Sequence, residues 1–211
     1  MRVTSFPLGP LPTNSYLLDD GSRALMIDVG GDPAPVLDFL QKNKLELEAI
    51  LVTHRHFDHQ YGIAALQKAT GASAYVPAGD DPIARTEISQ GGLWGLPPVP
   101  PFKETAFTSK IDLPSFRVEV LLTPGHTPGG VSFYFPDAAC VFSGDTLFYR
   151  SAGRTDFDMG DQDALIESIQ KVLFALPDAT KVYPGHGPVT SIGDERLHNP
   201  YFGDFTGSQD S

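Results

Sequence analysis

The chain contains a single cysteine, Cys140, so it can form neither an internal disulfide nor a thiolate-rich metal site. Cys140 lies in the apolar run AACVFSG, where a buried, inert thiol is expected. The N-terminal stretch MRVTSFPLGPLPTNSYLL lacks a basic start followed by an apolar core. With the scarcity of cysteine, this points to the reducing cytoplasm. No apolar run approaches the roughly 18 to 20 residues of a membrane helix, so no membrane partner is expected. Basic side chains are also few, 15 against 26 acidic, for a formal net charge of −11. No basic cluster offsets that charge locally, which disfavours nucleic acid and anionic lipid surfaces. No low-complexity tract interrupts the 211 residues, which are 41% hydrophobic and 19% charged. That composition predicts one globular domain over 1–211, with a polar, frayed tail at 203–211. Work on a small molecule is what these exclusions leave.

Histidine is scarce as well, with six in the chain, yet three fall within LVTHRHFDHQYG at 51–62. These are His54, His56 and His59, with Asp58 beside the last. Four segments repeat one arrangement: LVTH, LLTPGH, VFSGD and VYPGH each run an apolar strand into a sharp turn. The turns deliver His54, His126, Asp145 and His186. Rigid sheet ends that present side chains on loops are where sites collect. Pro124-Gly125 and Pro184-Gly185 are good turn formers by themselves, and any one of these segments alone reads as structural. Together they point to metal. His198, the remaining histidine, falls outside the arrangement and reads as structural or surface.

Between these segments, strand-like and helical patterns alternate. SYLL, RALMIDV and EAILVT read as strands. DPAPVLDFLQKN and QYGIAALQKATG read as helices, the second closed by Gly71. FRVEVLLTPG, VSFYF, AACVFSGD and TKVYPGHG read as further strands. DQDALIESIQKVLFALPD predicts a helix opened by Asp161, with Leu165, Ile169 and Leu173 on one face. Residues 77–110 break the rhythm with six prolines, four glycines and the only tryptophan, Trp94; a functional lid and a surface excursion fit equally well. Strands then helices, twice over, permit two sheets packed between helices.

Neutral imidazoles and carboxylates suit borderline divalent ions such as zinc, iron or manganese. Seven candidate ligands, His54, His56, Asp58, His59, His126, Asp145 and His186, exceed what one tetrahedral ion takes and suit two ions sharing a bridge.

THRHFDH resembles the T-H-x-H-x-D-H signature of the metallo-β-lactamase superfamily, and TPGHTPGG, FSGDTLF and YPGHGP are similar to its later motifs, in order. The stretches SAGRTDF and ERLHNP resemble those of small bacterial glyoxalase-II-like hydrolases. The resemblance implies an α/β fold, the four-layer αβ/βα sandwich, with metals at one edge between the sheets. It implies His54, His56 and His126 on one ion, Asp58, His59 and His186 on the other, and Asp145 bridging both. Zinc is the expected metal. Asp28, in MIDVGG, matches a motif aspartate that supports the ligand loop. The implied chemistry is attack by a metal-bridging hydroxide, with Asp58 and Asp145 as catalytic ligands, on a thioester such as S-lactoylglutathione.

The pattern also departs from that family. Glyoxalase II enzymes carry a C-terminal helical domain that binds glutathione, and only 25 residues follow His186 here. Arg154 and Tyr149 are the candidates for substrate binding in its place. A persulfide dioxygenase of the same superfamily is the nearest rival, with one iron on His54, His126 and Asp145. Those enzymes carry Ala-His-Asp around the last histidine, where this chain has Gly185-His186-Gly187. A non-catalytic metal-binding protein is the third reading.

Overall fold

The computed structural model describes residues 1–92 and 95–202. Trp94 and the expected frayed tail at 203–211 lie outside the described residues. A first sheet of six strands runs in the order β1 (Arg2–Leu8), β2 (Thr13–Asp19), β3 (Arg23–Ile27), β4 (Glu46–Leu51), β5 (Ser73–Pro77) and β6 (Glu104–Phe107). Helices α1 (Ala34–Asn43) and α2 (Ile63–Thr70) form the β3–β4 and β4–β5 crossovers, and a short helix α3 (Glu87–Gln90) precedes β6. The second sheet is built from β7 (Glu119–Leu122), β8 (Val131–Phe135), β9 (Cys140–Gly144), β12 (Lys181–Pro184) and β13 (Thr190–Ser191), ordered β13-β12-β9-β8-β7. A two-stranded ribbon, β10 (Leu147–Phe148) with β11 (Ser151–Ala152), and helices α4 (Gln162–Glu167) and α5 (Ile192–His198) complete the chain.

Alternation along the strands sorts the apolar residues into three layers. Met26, Ile50 and Val76 turn to one side and meet Val36 and Leu40 of α1 and Ile63 and Leu66 of α2. Leu18, Leu25, Ile27 and Leu51 turn to the other side and meet Phe133, Phe135 and Phe142 of the second sheet. Val141 and Val182, on the far face of that sheet, meet Leu165, Ile169, Leu173 and Ile192. Helix, sheet, sheet, helix is the four-layer αβ/βα sandwich expected above. Each fully buried phenylalanine of the central layer contributes about 2–3 kcal/mol, and Phe135 and Phe142 pack edge to face at 5.6 Å.

Three features differ from the sequence reading. Residues 77–110 are no bare loop: the segment contains α3 and closes the first sheet with β6, paired parallel to β5. β1 adds an edge strand at the start, antiparallel to β2. The helix expected over 161–178 is regular only through Glu167, then loosens into a wide turn at Ser168–Val172 and a tight one at Leu173–Ala175. In the wide turn Ser168 Oγ donates to the Pro124 carbonyl at 2.7 Å, in the turn that carries His126. Such wide turns are frequent beside functional sites. Among the described residues no helix is long and apolar enough to cross a membrane.

Strand direction positions the site. β3, β4 and β5 run parallel, so Asp28, the His54–His59 turn and Asp80 leave the same edge of the first sheet. In the second sheet β9 and β12 are parallel, and β7 reaches the same direction through two antiparallel steps. His126, Asp145 and His186 therefore leave one edge too. The two edges are joined where Asn14 N donates to the Gly185 carbonyl at 2.7 Å and Tyr16 Oη to the Pro184 carbonyl at 2.8 Å.

Candidate metal centre

At this edge, ligand atoms of His54, His56 and His126 lie within 4.8 Å of one another, as do those of Asp58, His59 and His186. A third group, His54, His59 and Asp145, overlaps both. Asp145 Oδ1 stands 3.5 Å from His59 Nε2, and Oδ2 stands 3.6 Å from both His126 Nε2 and His186 Nε2. All seven residues expected as ligands thus converge, with one carboxylate between the two triads.

Hydrogen bonds aim the imidazoles. Asp28, buried and held at φ 55, accepts from Thr53 N and Thr53 Oγ1 at 2.8 Å each and from His59 Nδ1 at 2.8 Å. His59 therefore turns its Nε2, which has no hydrogen-bond partner, to the site. Thr53 Oγ1 has given its proton to Asp28, so His54 Nδ1, 3.0 Å away, donates to that oxygen and likewise presents Nε2. His126 Nδ1 donates to the Arg154 carbonyl at 2.7 Å, and its Nε2 faces His56 Nδ1 at 2.9 Å. Two ring nitrogens at that distance need a shared proton or a common cation. Asp58 Oδ2 accepts from Thr13 Oγ1 at 2.9 Å. Partners of this kind fix tautomer and ring orientation in metal sites.

The electrostatics differ between the triads. Burial, reinforced by the neighbouring imidazoles, pushes His54 well below its ordinary pKa and His56 down to about 3. Both are neutral donors at neutral pH. Burial would lower His59 too, but Asp28, Asp58 and Asp145 outweigh it and hold its pKa well above the usual value. Burial would raise Asp145, but His59, His126 and His186 hold it well below the carboxylate range.

Does this set fit metal? Among the described residues six buried side-chain atoms have no hydrogen-bond partner, and three of them belong here: His54 Nε2, His59 Nε2 and Asp145 Oδ1. Leaving such atoms unpaired costs about 1–3 kcal/mol each. Imidazole and carboxylate donors suit zinc, iron and manganese alike. The residues fit two divalent ions.

A cavity of about 420 Å³ opens over the cluster, walled by Leu11, Phe57, Ile88, Phe148 and Phe157 and reaching Arg154. Arg154 is ion-paired to Asp156. Tyr149 does not line this cavity; it is half exposed, and the Arg150 guanidinium stacks on it at 4.6 Å. The ribbon after Asp145 turns that side chain away from the metals.

Sequence reasoning missed Thr13 and Asp80. Asp80 is wholly buried. Its Oδ1 accepts from Gly129 N at 2.6 Å, and its Oδ2 from Arg55 N at 2.8 Å and Thr127 Oγ1 at 3.1 Å. It ties the first ligand turn to the turn carrying His126. Its segment, AYVPAGD, is a further apolar strand delivering an aspartate, so the signal was there to read. Asp80→Asn must turn an amide nitrogen towards a donor. We expect about 1–3 kcal/mol of lost stability, and roughly tenfold weaker zinc binding from a displaced supporting group. A chelator-competition titration checks this; unaltered zinc affinity refutes the coupling.

The profile of the metallo-beta-lactamase superfamily matches residues 8–186. The chain is 32% identical to the hydroxyacylglutathione hydrolase GloC of Haemophilus influenzae, covering 95% of this chain and 98% of that one. Among solved structures it is similar to TTHA1623 in a di-iron-bound form, with TM-score 0.85, 40% identity and coverage of 94% and 99%. BLEG-1, a B3 metallo-beta-lactamase, gives TM-score 0.87 at 36% identity, covering 95% and 99%. ETHE1 from Myxococcus xanthus gives 0.72 at 31%, covering 96% and 84%.

Proposed function

The chain belongs to the metallo-beta-lactamase superfamily, and from that membership we propose a two-metal hydrolase of thioesters, glyoxalase II-like in its chemistry. The observation that carries the two-ion reading is His59 Nε2. It is buried, lacks a hydrogen-bond partner and is aimed at Asp58 and Asp145 by a bond on its other nitrogen to Asp28. A one-ion site on His54, His126 and Asp145 would leave this atom without a partner.

His54, His56 and His126 would hold one ion, Asp58, His59 and His186 the other, and Asp145 would serve both. Bound ions supply Lewis acidity towards a carbonyl oxygen and lower the pKa of water. The protein's own part is positional. Phe57, Phe148 and Phe157 give the cavity above the ligands apolar walls. Asp58, fixed by Thr13, faces the cavity and can take a proton there. A thiolate departs with little need of an acid. The named glyoxalase relative supports glutathione thioesters as reference substrates. Arg154, at the cavity wall, remains the candidate substrate contact.

Protein reconstituted with zinc, manganese or ferrous iron is expected to hold two ions per chain. With the preferred metal it should hydrolyse a thioester such as S-lactoylglutathione at kcat/KM above about 10⁴ M⁻¹s⁻¹. One iron per chain with thiol-dependent oxygen uptake would decide for the dioxygenase.

A further inference from the structure

Resting on the thioesterase reading, we propose that the site prefers a thiol half without net negative charge over a glutathionyl one, and that Asp156 sets this preference by masking Arg154. Among the described residues Arg154 is the only lysine or arginine on the wall of the metal cavity. Its Nε and Nη2 donate to Asp156 Oδ1 and Oδ2 at 2.5 and 2.6 Å, and its guanidinium lies over the Phe157 ring at 4.2 Å. With its Nε–Nη2 edge on Asp156 and its face on Phe157, the guanidinium has its charge offset and only its Nη1–Nη2 end left for a substrate carboxylate. Its backbone is fixed as well, because the Arg154 carbonyl receives His126 Nδ1.

The outward continuation points the same way. A second cavity of about 890 Å³ shares Ile88 and Phe157 with the first and lies between the 83–88 segment and the 156–159 turn. Ile83 and Met159 add apolar surface, and among the described residues every ionised side chain on its wall is a carboxylate: Glu87, Asp156 and Asp158. Arg85, on the same segment, lines neither cavity. A glutathione thioester laid along this path would bring its two carboxylates against Glu87 and Asp158, with Asp156 and Arg154 offsetting each other between them. A short, apolar or cationic thiol half meets hydrophobic walls and no repulsion.

Binding of unreactive thioethers to the zinc-loaded protein separates charge from chemistry. By calorimetry at low salt, S-butylthiocholine and S-butyl-N-acetylcysteamine are expected to bind at least about tenfold tighter than S-butylglutathione. Asp156→Asn should tighten S-butylglutathione by about three- to fivefold, the scale of one exposed ion pair. It should leave the neutral thioether within about twofold. Adding Arg154→Gln to that variant should abolish the gain. Preference of the unaltered protein for S-butylglutathione, or no gain in Asp156→Asn, overturns the proposal. Hydrolysis of the matching acetyl thioesters is read separately. If the binding order holds and none is hydrolysed, the thioesterase reading fails and the charge preference stands.

Discussion

Gly185→Ala is expected to bind one zinc ion in place of two and to lose at least about 100-fold in kcat/KM, the scale of a 1 Å misplacement at a reacting centre. A Cβ at this position would stand 2.2 Å from Asp145 Oδ1 and 2.7 Å from His59 Cε1. Gly185 does not occupy the left-handed region, which Gly125 and Gly187 do, so alanine suits the backbone and the conflict lies wholly with the ligands. Relief requires Asp145 to retreat by about 1 Å to reach ordinary contact, whereas ligand positions tolerate about 0.2 Å. Elemental analysis of the loaded variant gives the stoichiometry, and circular dichroism should show an intact fold. Two ions with activity within about threefold of the parent would refute the steric account, given that scale of effect. The prediction also bears on the rival reading. The alanine of the Ala-His-Asp pattern in persulfide dioxygenases would, in this backbone, evict the carboxylate from its shared position.

The ligand turns were legible because one physical requirement repeats: an apolar strand must end, and the next polar residue marks the edge of the sheet. Parallel β3, β4 and β5 put three such endings together, and β7, β9 and β12 put three opposite them. Helix faces were legible for the same reason, as with Leu165, Ile169 and Leu173. The edge strands β1 and β6 of the first sheet were not. β6, ETAF, buries only Phe107, and β1 exposes Ser5 and Pro7; without two-sided burial no pattern marks them. α5 was missed although Ser191 caps it, accepting from Asp194 N at 3.2 Å. Thr13 acts only through convergence in space, 45 residues from Asp58. Tyr149 lies close to Asp145 in sequence, but proximity along the chain says nothing of direction once the β10–β11 ribbon turns.

Asp145→Asn is expected to have the largest effect of any single substitution, at least about 10³-fold in kcat/KM, equivalent to about 4 kcal/mol of transition-state stabilisation. The two triads share no other carboxylate: Asp58 lies 3.7 Å from His59 Nε2 and 3.2 Å from His186 Nε2 and belongs to one side. Asparagine keeps the shape and removes the negative charge and one ligating oxygen. With two divalent ions, ligand carboxylates would then offset one charge of four where two were offset before. The ions must repel more strongly in a buried site where screening is weak. Asp58→Asn should therefore cost one ion, and Asp145→Asn should weaken both. Melting curves across a zinc titration distinguish these outcomes, because an ion bound only by the folded state stabilises it by about 2.7 kcal/mol at a hundredfold excess over Kd. The parent protein should show two increments, Asp58→Asn one, and Asp145→Asn a single shallow rise displaced to higher zinc. If Asp145→Asn retained both increments, the carboxylate would be a spectator and the two triads would bind independently.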